Sequence, residues 1–286
     1  MASASASLVQ RTPAWHAARK GKLTASNVGA ALGLCPWTSR QQAYNRAMGL
    51  ERFLGELFNE IVGHVPASRL TLRPLLYTGN DATRWGTANE PNGILGYTAS
   101  TGNIVDATGL HVHKSTSWLA GSPDGLIGTV GMLEVKCPYW RKKDGSRIHK
   151  AVPAHYYMQI NLCLEICQRE WCDFISWTPE GHAIYRITAD HVLHEQMVPH
   201  YVKFFGAMQR MAKTPNTLSE DEKNAISSAV AKSMEEHIDY KYWVNIDPVD
   251  TPPPNDEDDE PAPKRVRINE AKIFELGSEK HVTDQA

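Results

Sequence analysis

The period of apolar and polar positions changes several times along the chain. Tyr44, Ala47 and Met48, then Phe53, Leu54, Leu57, Phe58 and Ile61, recur at helical spacing and predict one or two core-packed helices over 40–62. Ahead of them, residues 13–33 predict a helical region. Thr24 or Ser26 can cap the small-residue run Asn27-Val28-Gly29-Ala30-Ala31-Leu32, and Gly33 ends it. From about 104 to 137 the period falls to two. Leu110-His111-Val112-His113, Ser117-Trp118-Leu119-Ala120, Gly125-Leu126-Ile127 and Met132-Leu133-Glu134-Val135-Lys136 are short strands punctuated by Gly, Ser and Pro. Helical spacing returns over 153–168, with Pro153 suited to the first turn. Strands Trp171–Trp177 and His182–Ile187 and a helix over about 190–212 complete the body. This order predicts an α/β or α+β fold with a central mixed sheet, and of the two we expect α/β with helices flanking the sheet.

The ends differ in kind. Residues 1–12 open on Met-Ala-Ser-Ala-Ser-Ala-Ser and predict a disordered lead-in with neither the basic nor the apolar region of a secretory signal. Residues 13–215 form the body, and 216–248 predict a helical extension. Residues 249–286 are Pro-rich and acidic around Asp250–Glu260, too poor in apolar surface to offset chain entropy, and predict disorder.

Charge changes this picture little. The net charge is −2, but residues 249–286 hold ten acidic and five basic side chains, leaving 25 Lys and Arg against 22 Asp and Glu in residues 1–248. That mildly basic body permits a phosphate-binding cleft. No apolar run approaches the length that spans a bilayer. Cys35, Cys137, Cys163, Cys167 and Cys172 are odd in number, which points to reduced thiols in the nucleus or cytoplasm. Cys163 and Cys167, at i and i+4 on a helix, read as core packing rather than cluster ligands. His111 and His113 share a strand face that reads as solvated. Trp118, Trp171 and Trp177 lie in strands and read as core. Trp140-Arg141-Lys142-Lys143, an aromatic beside a basic cluster, is a candidate DNA-backbone contact.

The chemistry concentrates in Gly121-Ser122-Pro123-Asp124-Gly125 and, with nine residues between Asp124 and Glu134, in Glu134-Val135-Lys136-Cys137-Pro138. Side chains alternate along a strand, so Glu134 and Lys136 share one face and Leu133 and Val135 the other. Two carboxylates and an ammonium can then converge at one end of a hairpin. Phosphodiester hydrolysis uses such groups. Carboxylates hold Mg²⁺, which polarises the phosphoryl group and acidifies water, and a lysine orients water and balances charge. The plainer reading is a Pro-Asp-Gly turn and an exposed ion pair. The otherwise apolar Met-Leu-Glu-Val-Lys-Cys strand argues against it, because buried charges are costly unless paired or metal-bound.

Five segments in order carry a resemblance: Trp15-x3-Arg19-x-Gly21-Lys22-Leu23-Thr24-Ala25-Ser26; Trp85-Gly86-Thr87-Ala88-Asn89-Glu90-Pro91 with Tyr97; Gly121-Ser122-Pro123-Asp124-Gly125-Leu126; Leu133-Glu134-Val135-Lys136-Cys137-Pro138; and His155-Tyr156-Tyr157-Met158-Gln159. Over roughly residues 13–190 the chain resembles the phage-lambda-type alkaline exonucleases, the viral recombinase group of the PD-(D/E)xK nuclease superfamily. The resemblance implies that 13–215 is an exonuclease domain. It implies that Asp124, Glu134 and the Val135 carbonyl hold metal, with Glu90 at the edge of the site. Lys136 would position the attacking water, and Gln159 would shape the site. Arg19, Ser26 and Ser122 would grip the 5′ phosphate of a DNA end. Arg offers phosphate a bidentate fork, and Ser26 lies near a helix start. The cofactor implied is Mg²⁺, two ions, with Mn²⁺ able to substitute. Residues 62–84 and 138–153 carry none of the family's motifs, and the acidic tail has no counterpart in its basic pattern.

The expected activity is 5′-to-3′ digestion of double-stranded DNA ends, leaving 3′ single strands for recombination or viral genome processing. Expected partners are a single-strand annealing protein and further copies of the chain, the phage enzyme being a ring-shaped trimer. The alternatives are a related endonuclease or RNase, or a non-catalytic DNA-end-binding or host-shutoff module. The latter does not need Glu90, Asp124, Glu134 and Lys136 together. Pro263-Lys264-Arg265-Val266-Arg267 reads as a motif for a nuclear import receptor, which places the chain in the nucleus of a eukaryotic host cell.

Overall fold

A computed structural model of the chain describes residues 8–50, 81–139, 148–245 and 273–275. Helix α1 (Pro13–Arg19) starts at Thr12, whose hydroxyl accepts the Trp15 N–H. Gly21, at φ +76°, makes the left-handed turn that leads α1 into β1 (Leu23–Thr24), a conformation that costs a residue without Cβ little. Helix α2 (Ala25–Ala31) follows directly. After a loop, α3 (Arg40–Met48) opens on a Ser39–Gln42 capping box and closes on Gly49 at φ +73°. Helix α4 (Asp81–Thr101) contains Pro91. Strands β2 (His111–Val112) and β3 (Leu119–Gly121) join β1 in a three-stranded sheet of order β1-β3-β2.

The larger sheet is mixed. It runs β4-β5-β6-β7-β8-β9, with β4 (Gly125–Ile127), β5 (Gly131–Lys136), β6 (Trp171–Thr178), β7 (Gly181–Thr188), β8 (Ile238–Asn245) and β9 (Ile273–Glu275). All neighbours are antiparallel except β5 and β6, which helix α5 (Ala154–Cys167) connects. Such a parallel pair needs a crossover, and the crossover helix covers one face. On that face Met132, Cys172, Phe174, Ala183, Tyr185 and Ile187 pack with residues of α2, α5 and α6 (His191–Gln209). On the other, Leu133, Val135, Ile175, Trp177 and Ile184 pack with Tyr97 of α4. The Tyr97 hydroxyl donates to Asp173 Oδ2 at 2.6 Å, and Arg186 grips both oxygens of that carboxylate at 2.8 Å, which fastens α4 to the sheet. The α/β architecture with a mixed sheet between helices is the one the periodicity predicts.

Close approach of α2 to α5 depends on Gly29. A Cβ there would lie 2.6 Å from His155 Cβ and 2.8 Å from its Cα. Gly29→Ala is therefore expected to force the helices apart at a cost of about 1–3 kcal/mol, read as a lowered thermal midpoint.

Several expectations need correction. Residues 8–12 are not a free lead-in. The Leu8 carbonyl accepts the Leu110 N–H, and Gln10 Nε2 donates to the Pro123 carbonyl at 2.8 Å. The 216–248 extension is helical only through α7 (Glu220–His237); β8 then pairs along β7, so the segment supplies part of the sheet. The tail, expected to be disordered, returns residues 273–275 as β9 beside β8, where the backbone groups of an edge strand find partners. His111 and His113 do not share a solvated face, since Val112 between them is the exposed residue. His111 meets Thr108 Oγ1 at 2.6 Å, and His113 faces Glu165 at 3.7 Å. The predicted helix over 53–61, the Trp140–Lys143 cluster and the Pro263–Arg267 motif lie outside the described residues. No helix among the described residues is long and apolar enough to cross a membrane.

Candidate active site

Asp124 precedes β4 and is fixed by backbone. Its N–H donates to the Leu133 carbonyl at 3.1 Å, and its Oδ2 accepts the Val135 N–H at 2.7 Å. Glu134, only 1% exposed, projects from β5 toward α5, where its Oε1 accepts Gln159 Nε2 at 2.5 Å and the Lys136 ammonium. Lys136 also lies 4.8 Å from the centre of the Tyr156 ring. Period-two alternation thus brings Glu134 and Lys136 to one face, and a helical residue meets them there. Four of the expected residues, Asp124, Glu134, Lys136 and Gln159, come together, with Val135 tied to Asp124 through its N–H.

The electrostatics are those of a strained anionic pair. Burial raises the Asp124 carboxyl well above the ordinary range, the Glu134 and Glu90 charges add to this, and Lys136 opposes it. Burial disfavours the Lys136 ammonium, but the charges of Glu134 and Asp124 outweigh that and hold it above its ordinary value. Lys136 is accordingly a fixed cation in this arrangement. Glu134 Oε2 is buried and has no hydrogen-bond partner among the described residues. A buried carboxylate oxygen without a partner is costly, and a hard divalent cation is the chemistry that satisfies it. With Asp124 alongside, the donor set fits a hard divalent cation held by few protein carboxylates.

Glu90 stands apart. It sits on α4 immediately before Pro91, 21% exposed, and pairs with Arg11 at 2.5 Å. Among the described residues no three His, Cys, Asp or Glu side chains gather as a ready-made metal cage. Cys163 and Cys172 are fully buried in the hydrophobic core, and burial keeps both thiols well above their ordinary pKa.

Arg19, Ser26 and Ser122 form a second constellation beside the first. Arg19 Nη2 donates to Ser26 Oγ at 2.8 Å and Thr24 Oγ1 at 3.3 Å, and its guanidinium lies 4.1 Å from the centre of the Trp15 ring. The Trp15 indole N–H donates to Ser122 Oγ at 3.0 Å. Ser122 is two residues before Asp124, so this polar cluster adjoins the carboxylates. Burial lowers the Arg19 pKa to about 10, which leaves it a cation at neutral pH, less hydrated than an exposed one. Thr24 occupies the N-cap position of α2 but makes no capping bond; its hydroxyl accepts instead from Arg19 and from Asn27 Nδ2.

Sequence reasoning missed Trp15, Thr24 and Arg11 as parts of the site. Trp15 and Arg19 are four apart on α1, the spacing at which helical side chains touch, and that signal was present. Arg11 had no local signal, since its partner lies 79 residues away.

The chain is similar to known proteins in sequence and in fold. The alkaline exonuclease LHK-Exo from Laribacter hongkongensis is 26% identical, with 77% of this chain covering 99% of that one at a TM-score of 0.50. A structure of LHK-Exo in complex with dAMP matches over the same shares at 26% identity and a TM-score of 0.51. No curated protein matches significantly. The family model described as a YqaJ-like viral recombinase domain matches residues 14–170, more than half of the 286 residues. The chain belongs to the family of YqaJ-like viral recombinase domains.

Proposed function

We propose that the chain is a Mg²⁺-dependent 5′-to-3′ exonuclease that digests double-stranded DNA from its ends and leaves 3′ single strands. The observation that carries this reading is Glu134, buried with one oxygen unpartnered and bracketed by Asp124 and the Lys136 ammonium. Asp124 and Glu134, with the Val135 carbonyl beside them, would hold one or two Mg²⁺ or Mn²⁺ ions. The bound cation supplies charge neutralisation at the phosphoryl oxygens and acidification of water. Lys136 donates to the attacking water and offsets negative charge as the phosphorus–oxygen bond breaks. Gln159 fixes the Glu134 carboxylate. Glu90, paired with Arg11 but close enough for its charge to act on Asp124, would border the cation site. Arg19, Ser26 and Ser122 seat a terminal 5′ phosphate, which sets the first internucleotide bond at the carboxylates. LHK-Exo has been crystallised with dAMP, a deoxynucleoside monophosphate, and that is the product class proposed for this chain.

The same reading extends to residues 13–215 as the exonuclease domain, to a single-strand annealing protein that receives the 3′ strands, to assembly of several copies, and to the nucleus of a eukaryotic host. Linear duplexes labelled at the 5′ or the 3′ end, beside a covalently closed circle, test its core. The 5′ label should leave first as mononucleotide and the circle should stay intact. Earlier release of the 3′ label, or equal cutting of the circle, contradicts the proposed polarity or end-dependence.

A further inference from the structure

Trp37 lies in the loop over 33–39, between α2 and α3, and is 64% exposed. Among the large hydrophobic side chains exposed in the described residues it is the one aromatic ring. The ring is nonetheless held. It meets His155 edge-on at 4.7 Å and 84°, His155 lies 4.0 Å from Tyr156, and the Tyr156 ring stands 4.8 Å from Lys136 Nζ. His155 is 8% exposed, its backbone fixed against Gly29, and burial with the nearby Lys136 charge lowers its pKa to about 4, so it is a neutral, immobile support. A row of three rings therefore runs from the Lys136 ammonium to the surface and ends on an open indole.

The position along α2 is informative. Ser26 stands at the start of α2 and the Trp37 loop leaves its end. Seven residues at 1.5 Å rise span about 10 Å, or about three nucleotide steps at 3.4 Å each. Contacts run from Arg19 through Trp15 to Ser122 beside Asp124, and from Glu134 and Lys136 through Tyr156 and His155 to Trp37, so a strand end seated at Arg19 and Ser26 and laid along them would meet the carboxylates before Trp37. We propose that Trp37 is a base-stacking platform that holds a nucleobase near the 5′ end of the digested strand and keeps that strand in register with the carboxylates. Stacking suits an enzyme that must accept every sequence, because each base offers a π face. The inference rests on the nuclease reading above.

The test uses Trp37→Ala and Trp37→Phe in the full chain, with 5′-phosphorylated linear duplexes that are intact or carry one abasic nucleotide at position 2, 3, 4 or 5. Anisotropy reads binding without Mg²⁺, and steady-state digestion in Mg²⁺ reads KM and kcat. Because Trp37 is exposed, both variants should melt within a few degrees of wild type. Trp37→Ala is expected to weaken binding and raise KM by about 5- to 100-fold with kcat within about threefold, and Trp37→Phe to restore most of the loss. One abasic position should cost wild type the same factor and cost Trp37→Ala nothing further. Unchanged KM in Trp37→Ala, or abasic penalties that add in full at every position, overturns the stacking role. If wild type fails to digest any duplex, the nuclease reading falls and the inference with it; digestion that ignores Trp37 sinks the inference alone.

Discussion

Lys136→Ala is expected to slow duplex digestion by about 10³-fold while leaving DNA-end binding within a few-fold. The rate loss is the size seen when a preorganised charge aimed at the reacting group is removed. Binding survives because Arg19, Ser26 and Ser122 lie on other elements. The same substitution should lower stability. Glu134 is 1% exposed, and without Lys136 its Oε1 keeps Gln159 alone. Removing one partner of a buried pair costs about 3–5 kcal/mol, so the variant should melt earlier than wild type in metal-free buffer. Mg²⁺ should return part of that loss, because binding to the folded state alone stabilises it. Activity at wild-type level in a folded Lys136→Ala protein would remove the lysine from the chemistry.

Arg19→Ala should abolish discrimination between 5′-phosphate and 5′-hydroxyl ends. A hydrogen bond to a charged group contributes about 1.5–3 kcal/mol, or about 10- to 100-fold in kcat/KM on phosphorylated DNA. Hydroxyl-ended DNA should be digested at nearly the wild-type rate. Arg19→Lys should recover only part of the preference, since an ammonium keeps the charge but loses both the planar fork and its stacking on Trp15. Initial rates on the two end chemistries measure this. Equal rates on both ends in the wild type would show that Arg19, Ser26 and Ser122 are not a phosphate grip.

Much of this site was legible because it is local. Glu134 and Lys136 are two apart on a strand, so alternation alone put them on one face. Gln159 sits on the helix that the parallel β5–β6 crossover requires. The β8 strand had a signal too: Ile238-Asp239-Tyr240-Lys241-Tyr242-Trp243-Val244 is rich in aromatic and β-branched residues, and the helical pattern before it obscured the change of period. The strand at 273–275 was hidden because composition averaged over the whole tail says nothing of three residues that can pair. Contacts across long separations left no mark at all. Arg11 with Glu90, Gln10 with Pro123 and Trp37 with His155 each join segments whose proximity only the fold creates. Val112 is exposed between two inward histidines because His113, just after β2, turns toward Glu165 of α5.

Whether Asp124, Glu134 and Lys136 form a metal-dependent nuclease site is decided by digestion of a linear duplex in Mg²⁺ beside EDTA, by wild type and Glu134→Gln. Rapid digestion by wild type in Mg²⁺ is expected, none in EDTA, and a loss of at least about 10²-fold in Glu134→Gln, whose amide is a poorer cation ligand than a carboxylate. No Mg²⁺-dependent digestion by the wild type, or undiminished digestion by folded Glu134→Gln, would contradict such a site.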